Sequence, residues 1–306
     1  MFVHARNDVF DTNPASGARS LTQGGSDWLW AATAIFAVSF LILLVLGLRP
    51  WHGERIFHYL FTIALLVGAI TYFAMASDLG WSVVRQHLRV SEAATYQVFF
   101  AKYIFWVVAF PVIVIALGLA SGVSWATIVY NIFLSWIWII SYLVGAYTRT
   151  RYKWGFFTFG TVAYLLLAYQ TLWSGWSASR RFPHQRDYTL LAGYANLFWL
   201  IYPIAWAVTD GGNVIGVAQM AIFFGILDVL LVCGLAFAFI FLSKRWDHEL
   251  MRLHFTRDGR IPHARDFHDK HPVGERVVGA GAGTGTGATA GAGDGVGTTA
   301  GYAQPV

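Results

Sequence analysis

The feature that most constrains this chain is a series of seven apolar runs, each long enough to cross a bilayer as a helix. A helix needs about 20 apolar residues to do so. The predicted spans are residues 28–48, 56–79, 98–119, 125–147, 155–176, 188–208 and 214–242. Only 12% of the residues are charged, about half the share of a soluble domain. The sequence therefore predicts an all-α membrane protein, a seven-transmembrane-helix bundle.

Composition divides the chain into three regions. Residues 1–26 are polar and lack periodicity, so we expect a mobile extracellular terminus that ends in the helix-capping pair Ser26-Asp27. Residues 27–246 are predicted to form the transmembrane domain. Residues 247–306 are predicted to form a cytoplasmic tail, rich in Gly, Ala and Thr and disordered from about residue 277.

The charges in the connections between the spans favour one topology. Lys and Arg are slightly more numerous on the carboxyl-terminal side, which favours a cytoplasmic carboxyl terminus. Residues 246–253 are read either as an interfacial amphipathic stretch or as the frayed end of the last helix.

The net charge of +5 points to anionic lipid surfaces rather than nucleic acid. No metal site, dinucleotide motif or phosphate loop is present, and no enzymatic activity is predicted.

The last apolar run carries an ionisable residue, Asp228, near its middle. A carboxyl group at that depth is expensive, so it should face the bundle interior and have partners. Val232 follows four residues later, one helical turn along the same face. The single cysteine, Cys233, lies in the same run, so no disulfide framework is predicted.

Several motifs in these spans resemble those of microbial rhodopsins. The sixth span contains Trp199, Tyr202, Pro203 and Trp206 in the order Trp-x-x-Tyr-Pro-x-x-Trp, which in that family encloses the retinal ring. The resemblance continues with Trp106 and Pro111 in the third span, Tyr72 in the second, Asp228 in the seventh, and Asp210 at the place of a proton-release carboxylate. It extends over all seven spans and implies a microbial-rhodopsin-like fold. It also implies a remnant ligand pocket lined by Tyr72, Trp106, Trp199, Tyr202, Trp206 and Asp228.

The departures from the family pattern concern its chemistry. The resemblance assigns the retinal-binding lysine to the place held by Val232, which cannot form a Schiff base. It assigns the proton acceptor to Phe105 and the proton donor to Ala116, and Lys102 stands where the family usually has Arg. No covalent retinal, and no other cofactor, is therefore expected. This pattern is similar to the fungal opsin-related branch, which lacks the retinal lysine and includes a yeast plasma-membrane heat-shock protein.

The resemblance to that branch implies a multi-pass protein of the fungal plasma membrane with a stress-linked chaperone-like or regulatory role. Its expected partners are the lipid bilayer and the plasma-membrane proton ATPase or other membrane proteins, and a homo-oligomer stays open. One alternative is a light-sensing or light-driven proton transport protein with noncovalent retinal. Another is an ion conduit that uses Asp228 and Lys102.

Two questions about the interior stay open at this stage. Lys102 and Asp228 could form a buried ion pair that closes the proton path of a pump. Alternatively, Lys102 could reach the outer surface while Asp228 is a core residue bonded to tyrosines. The aromatic set could likewise be a packed core, with Phe105 filling the space of a carboxylate, or a pocket for a noncovalent lipid or terpenoid.

Overall fold

The computed structural model describes residues 8–48 and 55–253, and within them seven helices are long and apolar enough to span a membrane. The spans are α1 (Gln23–Leu48), α2 (Ile56–Ala76), α3 (Ala101–Ser121), α4 (Trp125–Tyr147), α5 (Lys153–Ser179), α6 (Gln185–Gly211) and α7 (Val217–Ser243). The prediction of a seven-helix membrane bundle is confirmed. The predicted ends differ from the observed ones by a few residues. Helices α1, α5 and α6 continue into polar residues beyond the predicted spans, whereas α2, α3 and α7 are shorter than predicted at one end.

The helices surround α3. In an apolar 18-residue stretch of α3, 78% of the residues are buried, compared with 22% in such a stretch of α1. Helix α3 packs against α2, α4, α5 and α6, and α1 packs against both α2 and α7. A helix that is apolar on all sides suits this central place, whereas the outer faces of α1 and α5 remain available to lipid. Side chains of α3 can therefore meet groups from most of the other helices.

The connection between α2 and α3 is a β-hairpin, which sequence analysis missed. Strand β1 (Trp81–Arg85) pairs antiparallel with strand β2 (Thr95–Phe99), so that Trp81 lies opposite Phe99. Sequence analysis placed these residues between the second predicted span and the start of the third. The alternating pattern of the two strands was therefore not recognised. We call the end of the bundle that carries it the hairpin end, and the opposite end the carboxyl-terminal end.

The amino-terminal segment packs on this hairpin. Arg19 donates its backbone N–H to Thr95 O (3.1 Å), and its carbonyl accepts from Gln97 N–H (3.0 Å). Its guanidinium reaches the carbonyl oxygen of Asn213 (2.7 Å) and Glu92 (3.0 Å). The prediction of a mobile terminus is therefore wrong for the segment around Arg19, because a free strand edge offers backbone groups that the segment satisfies.

The predicted capping pair is wrong too. Helix α1 begins at Gln23, so Ser26 and Asp27 lie within its first turns. Ser26 is fully buried, and its hydroxyl donates to Ala76 O at the end of α2 (2.7 Å). A hydroxyl that links two helices at a shared end contributes to packing instead of capping.

At the carboxyl-terminal end the chain turns back onto the bundle after α7. Trp246 is buried, its ring stacks on His184 (centroids 4.7 Å apart), and its indole N–H donates to Asp187 Oδ2 (2.9 Å). Residues 246–253 form turns rather than either predicted form, because the Trp246 side chain docks between α6 and the ring of Phe57. The predicted disordered tail from about residue 277 lies outside the described residues.

The burial of His184 predicts a pH dependence of stability. Burial lowers the pKa of the His184 imidazole, although its hydrogen bond to Ala120 O and the nearby Asp187 oppose the shift. The unfolded chain then binds a proton more readily than the folded one, so the stabilisation is complete above about pH 6.5 and is lost as the pH falls below it. We expect the melting temperature of wild type to fall more between pH 7 and pH 5 than that of His184→Gln.

Gln keeps a donor for Ala120 O and does not titrate in this range, so the comparison isolates the imidazole. The matched control is His87→Gln, at an exposed position on the hairpin, which should retain the wild-type dependence. An unchanged pH dependence in His184→Gln would contradict the prediction.

Candidate functional site

The carboxylate of Asp228 joins four helices. Asp228 Oδ1 accepts hydrogen bonds from Tyr202 Oη (2.5 Å) and Trp106 Nε1 (2.9 Å), and Oδ2 accepts one from Tyr72 Oη (2.5 Å). The three donors come from α6, α3 and α2, and Asp228 itself is fully buried on α7. The structure thus brings four of the residues predicted for the pocket remnant into direct contact. An ionised carboxylate is acceptor-only, so three donors suit it.

Lys102 belongs to a second carboxylate centre. Its Nζ lies 2.6 Å from Asp210 Oδ2, and Tyr103 Oη donates to the same oxygen (2.5 Å). Among the described residues Lys102 has its ion pair with Asp210, so the hypothesis of a Lys102–Asp228 pair is wrong. The alternative is wrong about Lys102, whose side chain is 1% exposed and does not reach the surface. It is right about Asp228, a core residue bonded to two tyrosines. The reason is that the Asp228 oxygens already hold three donors, while Asp210 faces inward beside α3.

The surroundings of the Lys102 ammonium are otherwise apolar. The ammonium lies 4.7 Å from the centre of the Phe224 ring and 3.5 Å from Met220 Sδ. An aromatic face stabilises a desolvated cation, and the low polarity strengthens the attraction to Asp210. The ammonium is therefore held between α3, α6 and α7.

Another buried charged residue, Lys153, was not singled out from the sequence. It is 1% exposed, and its Nζ donates to Asp210 O (3.0 Å), Gly211 O (3.2 Å) and Gln86 Oε1 (3.2 Å). The two carbonyls belong to the last turn of α6, where the negative end of the helix dipole favours a cation. Its place in the basic connection before the predicted fifth span gave the only sequence signal. Its partners could not be seen without the fold.

The carbonyl contacts of Lys153 illustrate a pattern found at three π-helical turns within the spans. These turns are Gln170–Ser174 in α5, Ala207–Gly211 in α6 and Val229–Cys233 in α7. A π-turn disturbs the regular hydrogen bonds of a helix. Side chains from neighbouring helices donate to the backbone carbonyls of these turns. Lys153 donates to Asp210 O in the α6 turn, Tyr188 to Thr171 O in the α5 turn (2.6 Å), and Tyr194 to Leu230 O in the α7 turn (2.8 Å). Each departure from helical geometry is thereby compensated inside the membrane.

The remaining predicted aromatics, Trp199 and Trp206, each pack against other aromatic rings. Trp199 contacts Phe110 (centroids 5.7 Å apart), and Trp206 donates its indole N–H to Tyr103 Oη (2.9 Å). A gap of about 10 Å³, room for roughly one water molecule, remains between Trp106, Phe110, Trp138, Ile139, Tyr142 and Tyr202. This space is smaller than a typical ligand pocket of roughly 300–1,000 Å³. Phe110 and Trp138 were missed because their runs were read only as apolar.

The three positions assigned to retinal and proton transfer are apolar and buried. Phe105, Ala116 and Val232 are all 0% exposed. The Phe105 ring packs edge-on against Phe36 (5.4 Å) and Tyr72 (6.1 Å). The described lysines are Lys102 on α3, Lys153 at the start of α5 and Lys244 after α7, so the interior of α7 offers no amine. The residues present do not fit a covalently bound retinal.

The sequence profile of the family described as "Bacteriorhodopsin-like protein" matches residues 23–248. The chain therefore belongs to the bacteriorhodopsin-like family.

Within that family it has opsin-related fungal homologues. It is 39% identical to Protein FDD123 of Trametes versicolor, over 77% of this chain and 83% of that protein. It is 31% identical to the 30 kDa heat shock protein of Saccharomyces cerevisiae, over 85% of each chain. Among solved structures, the light-driven proton pump LR (Mac) from Leptosphaeria maculans superposes with a TM-score of 0.68 at 28% identity, covering 77% of this chain and 98% of the pump.

The Lys102–Asp210 pair predicts a large energetic coupling. Lys102→Met leaves the Asp210 carboxylate buried without its cation, which should cost about 3–5 kcal/mol of unfolding free energy. In Lys102→Met/Asp210→Asn the loss should be smaller than the sum of the two single losses, because neither charge remains. Thermal or detergent unfolding of the purified variants measures this coupling.

Tyr103→Phe is the matched control, since it leaves both charges in place and removes only two hydrogen bonds, the one to the same Asp210 oxygen and the one from the Trp206 indole. It should cost about 2 kcal/mol. Strict additivity of the two single substitutions would contradict the assignment of the pair.

Proposed function

We propose that this chain is a retinal-less, photochemically silent opsin-related protein of the fungal plasma membrane, with a stress-linked chaperone-like or regulatory role. The observation that carries the proposal is Val232, on the inward face of α7 one turn beyond Asp228. A valine side chain has no nucleophile for an aldehyde, so retinal cannot be anchored there. The carboxyl terminus is proposed to be cytoplasmic.

The chemistry of α3 supports the same conclusion. A pump needs groups that accept and donate a proton along a path, yet Phe105 and Ala116 hold the corresponding places. The Phe105 ring instead fills space between α1 and α2. The remaining carboxylates are each held by strong partners, with three donors around Asp228 and Lys102 and Tyr103 at Asp210. The interior is thus better suited to a stable scaffold than to proton movement.

The stress-linked part of the proposal rests on the relatives. A yeast relative is named as a heat shock protein, and the similarity covers 85% of each chain. We propose that this chain acts in the same membrane context, through contacts with the plasma-membrane proton ATPase or other membrane proteins. A test is growth after heat shock of yeast that lacks its 30 kDa heat shock protein and expresses this chain. Recovery towards the growth seen with the yeast protein supports the role, and growth equal to the empty vector contradicts it.

The second candidate is light-driven proton transport with noncovalent retinal. It is favoured by the retained aromatic set, Trp106, Trp199, Tyr202 and Trp206, and by the likeness to the Leptosphaeria maculans pump. The small space between these rings disfavours it. An ion conduit that uses Asp228 and Lys102 is not supported, because the two groups belong to separate centres.

Absorption spectroscopy separates the first two candidates. We expect the purified protein to show no red-shifted visible band after addition of all-trans retinal, because Val232 cannot form a protonated Schiff base. Val232→Lys is measured alongside, and its band would show that retinal can enter once an amine is present. Val232→Met is the matched control, since it adds length without an amine. A retinal band in the native protein would overturn the proposal in favour of the photoreceptor or pump.

A further inference from the structure

Exposed arginines at the carboxyl-terminal end of the bundle sit beside membrane-facing aromatic rings. The guanidinium of Arg180 lies 5.4 Å from the centre of the Trp176 ring, and that of Arg245 lies 5.7 Å from the Phe241 ring. Both arginines follow the last turn of a span, α5 and α7 respectively. Because spans alternate in direction, the two pairs lie at the same end of the bundle.

The rings of these pairs are at the edge of the lipid-facing surface. Phe241 is 60% exposed, and Trp173, whose ring lies 6.1 Å from that of Trp176, is 61% exposed. Aromatic rings of this kind favour the boundary between hydrocarbon and headgroups. A guanidinium held over such a ring is therefore placed at the depth of lipid phosphates.

Five arginines lie exposed at this end in the part of the chain that the structure describes. They are Arg180, Arg181, Arg186, Arg245 and Arg252. In residues 8–48 and 55–253 the ion pairs involve Arg19, Arg89 and Lys102, and none includes an arginine of this group. The acids nearby have other bonds, since Asp187 accepts from Trp246 and Asp247 accepts from two backbone N–H groups. These guanidinium groups can therefore bind an anion from outside the chain.

We propose that the Arg180–Trp176 and Arg245–Phe241 pairs are two binding sites for anionic phospholipid headgroups on the surface of this end of the bundle. The planar guanidinium donates two parallel hydrogen bonds to a phosphate, while the exposed rings contact the upper part of the acyl chains. The occupant is a lipid and not a free phosphate, because half of the surface is apolar and faces the bilayer. This surface would give the protein a preference for membranes or membrane regions rich in acidic lipids.

The test uses the full chain reconstituted in phosphatidylcholine vesicles with a trace of spin-labelled lipid. Electron spin resonance measures the fraction of labelled lipid immobilised at the protein. We expect labelled phosphatidylserine to associate roughly fivefold more strongly than labelled phosphatidylcholine, since one surface arginine near an acidic headgroup contributes about that factor. The preference should weaken as salt is raised.

The variant Arg180→Gln/Arg245→Gln should bring the two association constants to near equality. Its matched control is Arg85→Gln/Arg149→Gln, which removes two exposed arginines at the hairpin end and should keep the preference. Equal association of both lipids with wild type would overturn the proposal, as would a preference that survives in the first variant or disappears in the control. Displacement by soluble glycerophosphoserine, at the concentration at which labelled lipid binds, would also overturn it, because it would show that the acyl contacts are irrelevant.

Discussion

The shared hydrogen bonds of the Asp228 carboxylate are the interaction on which the rest of the bundle depends. The membrane interior offers no water, so a buried carboxylate must find its donors within the protein. Tyr72, Trp106 and Tyr202 supply them from α2, α3 and α6. Apolar side chains alone would let these helices rotate or slide at small energetic penalty. Three directional bonds to one group fix their relative depth and rotation.

A second set of polar contacts closes the hairpin end in the same way. Lys102 pairs with the Asp210 carboxylate, and Lys153 binds the backbone carbonyls of Asp210 and Gly211. At the π-turn that ends α6, partners are thus present for Asp210 Oδ2 and for the backbone oxygens of Asp210 and Gly211. A helix end buried without such partners would be strongly destabilising. The two centres together link α2, α3, α5, α6 and α7 through polar contacts inside the bundle.

Much of the architecture could be read from the sequence because the bilayer imposes a length and a hydropathy on each span. The same holds for Asp228, since an isolated carboxyl in an apolar run must face inward. The hairpin between α2 and α3 could not be predicted, because its strands are short and merge with the ends of the neighbouring runs. The pairing of Lys102 was wrong for a different reason. Two inward-facing carboxylates, Asp228 and Asp210, were available, and sequence does not reveal which one lies nearer.

The sequence by itself therefore determined the class of the protein, the number of spans and the absence of an amine at Val232, since these follow from residue identity and run length. The tertiary structure decided which charged groups form ion pairs, which carbonyls of the π-turns accept hydrogen bonds from side chains, and which aromatic rings pack together in the interior. Those outcomes depend on distances of a few ångströms between helices that are far apart in the chain. Hydrogen bonds and ion pairs weaken steeply over such distances, so only the assembled bundle could select among the available partners.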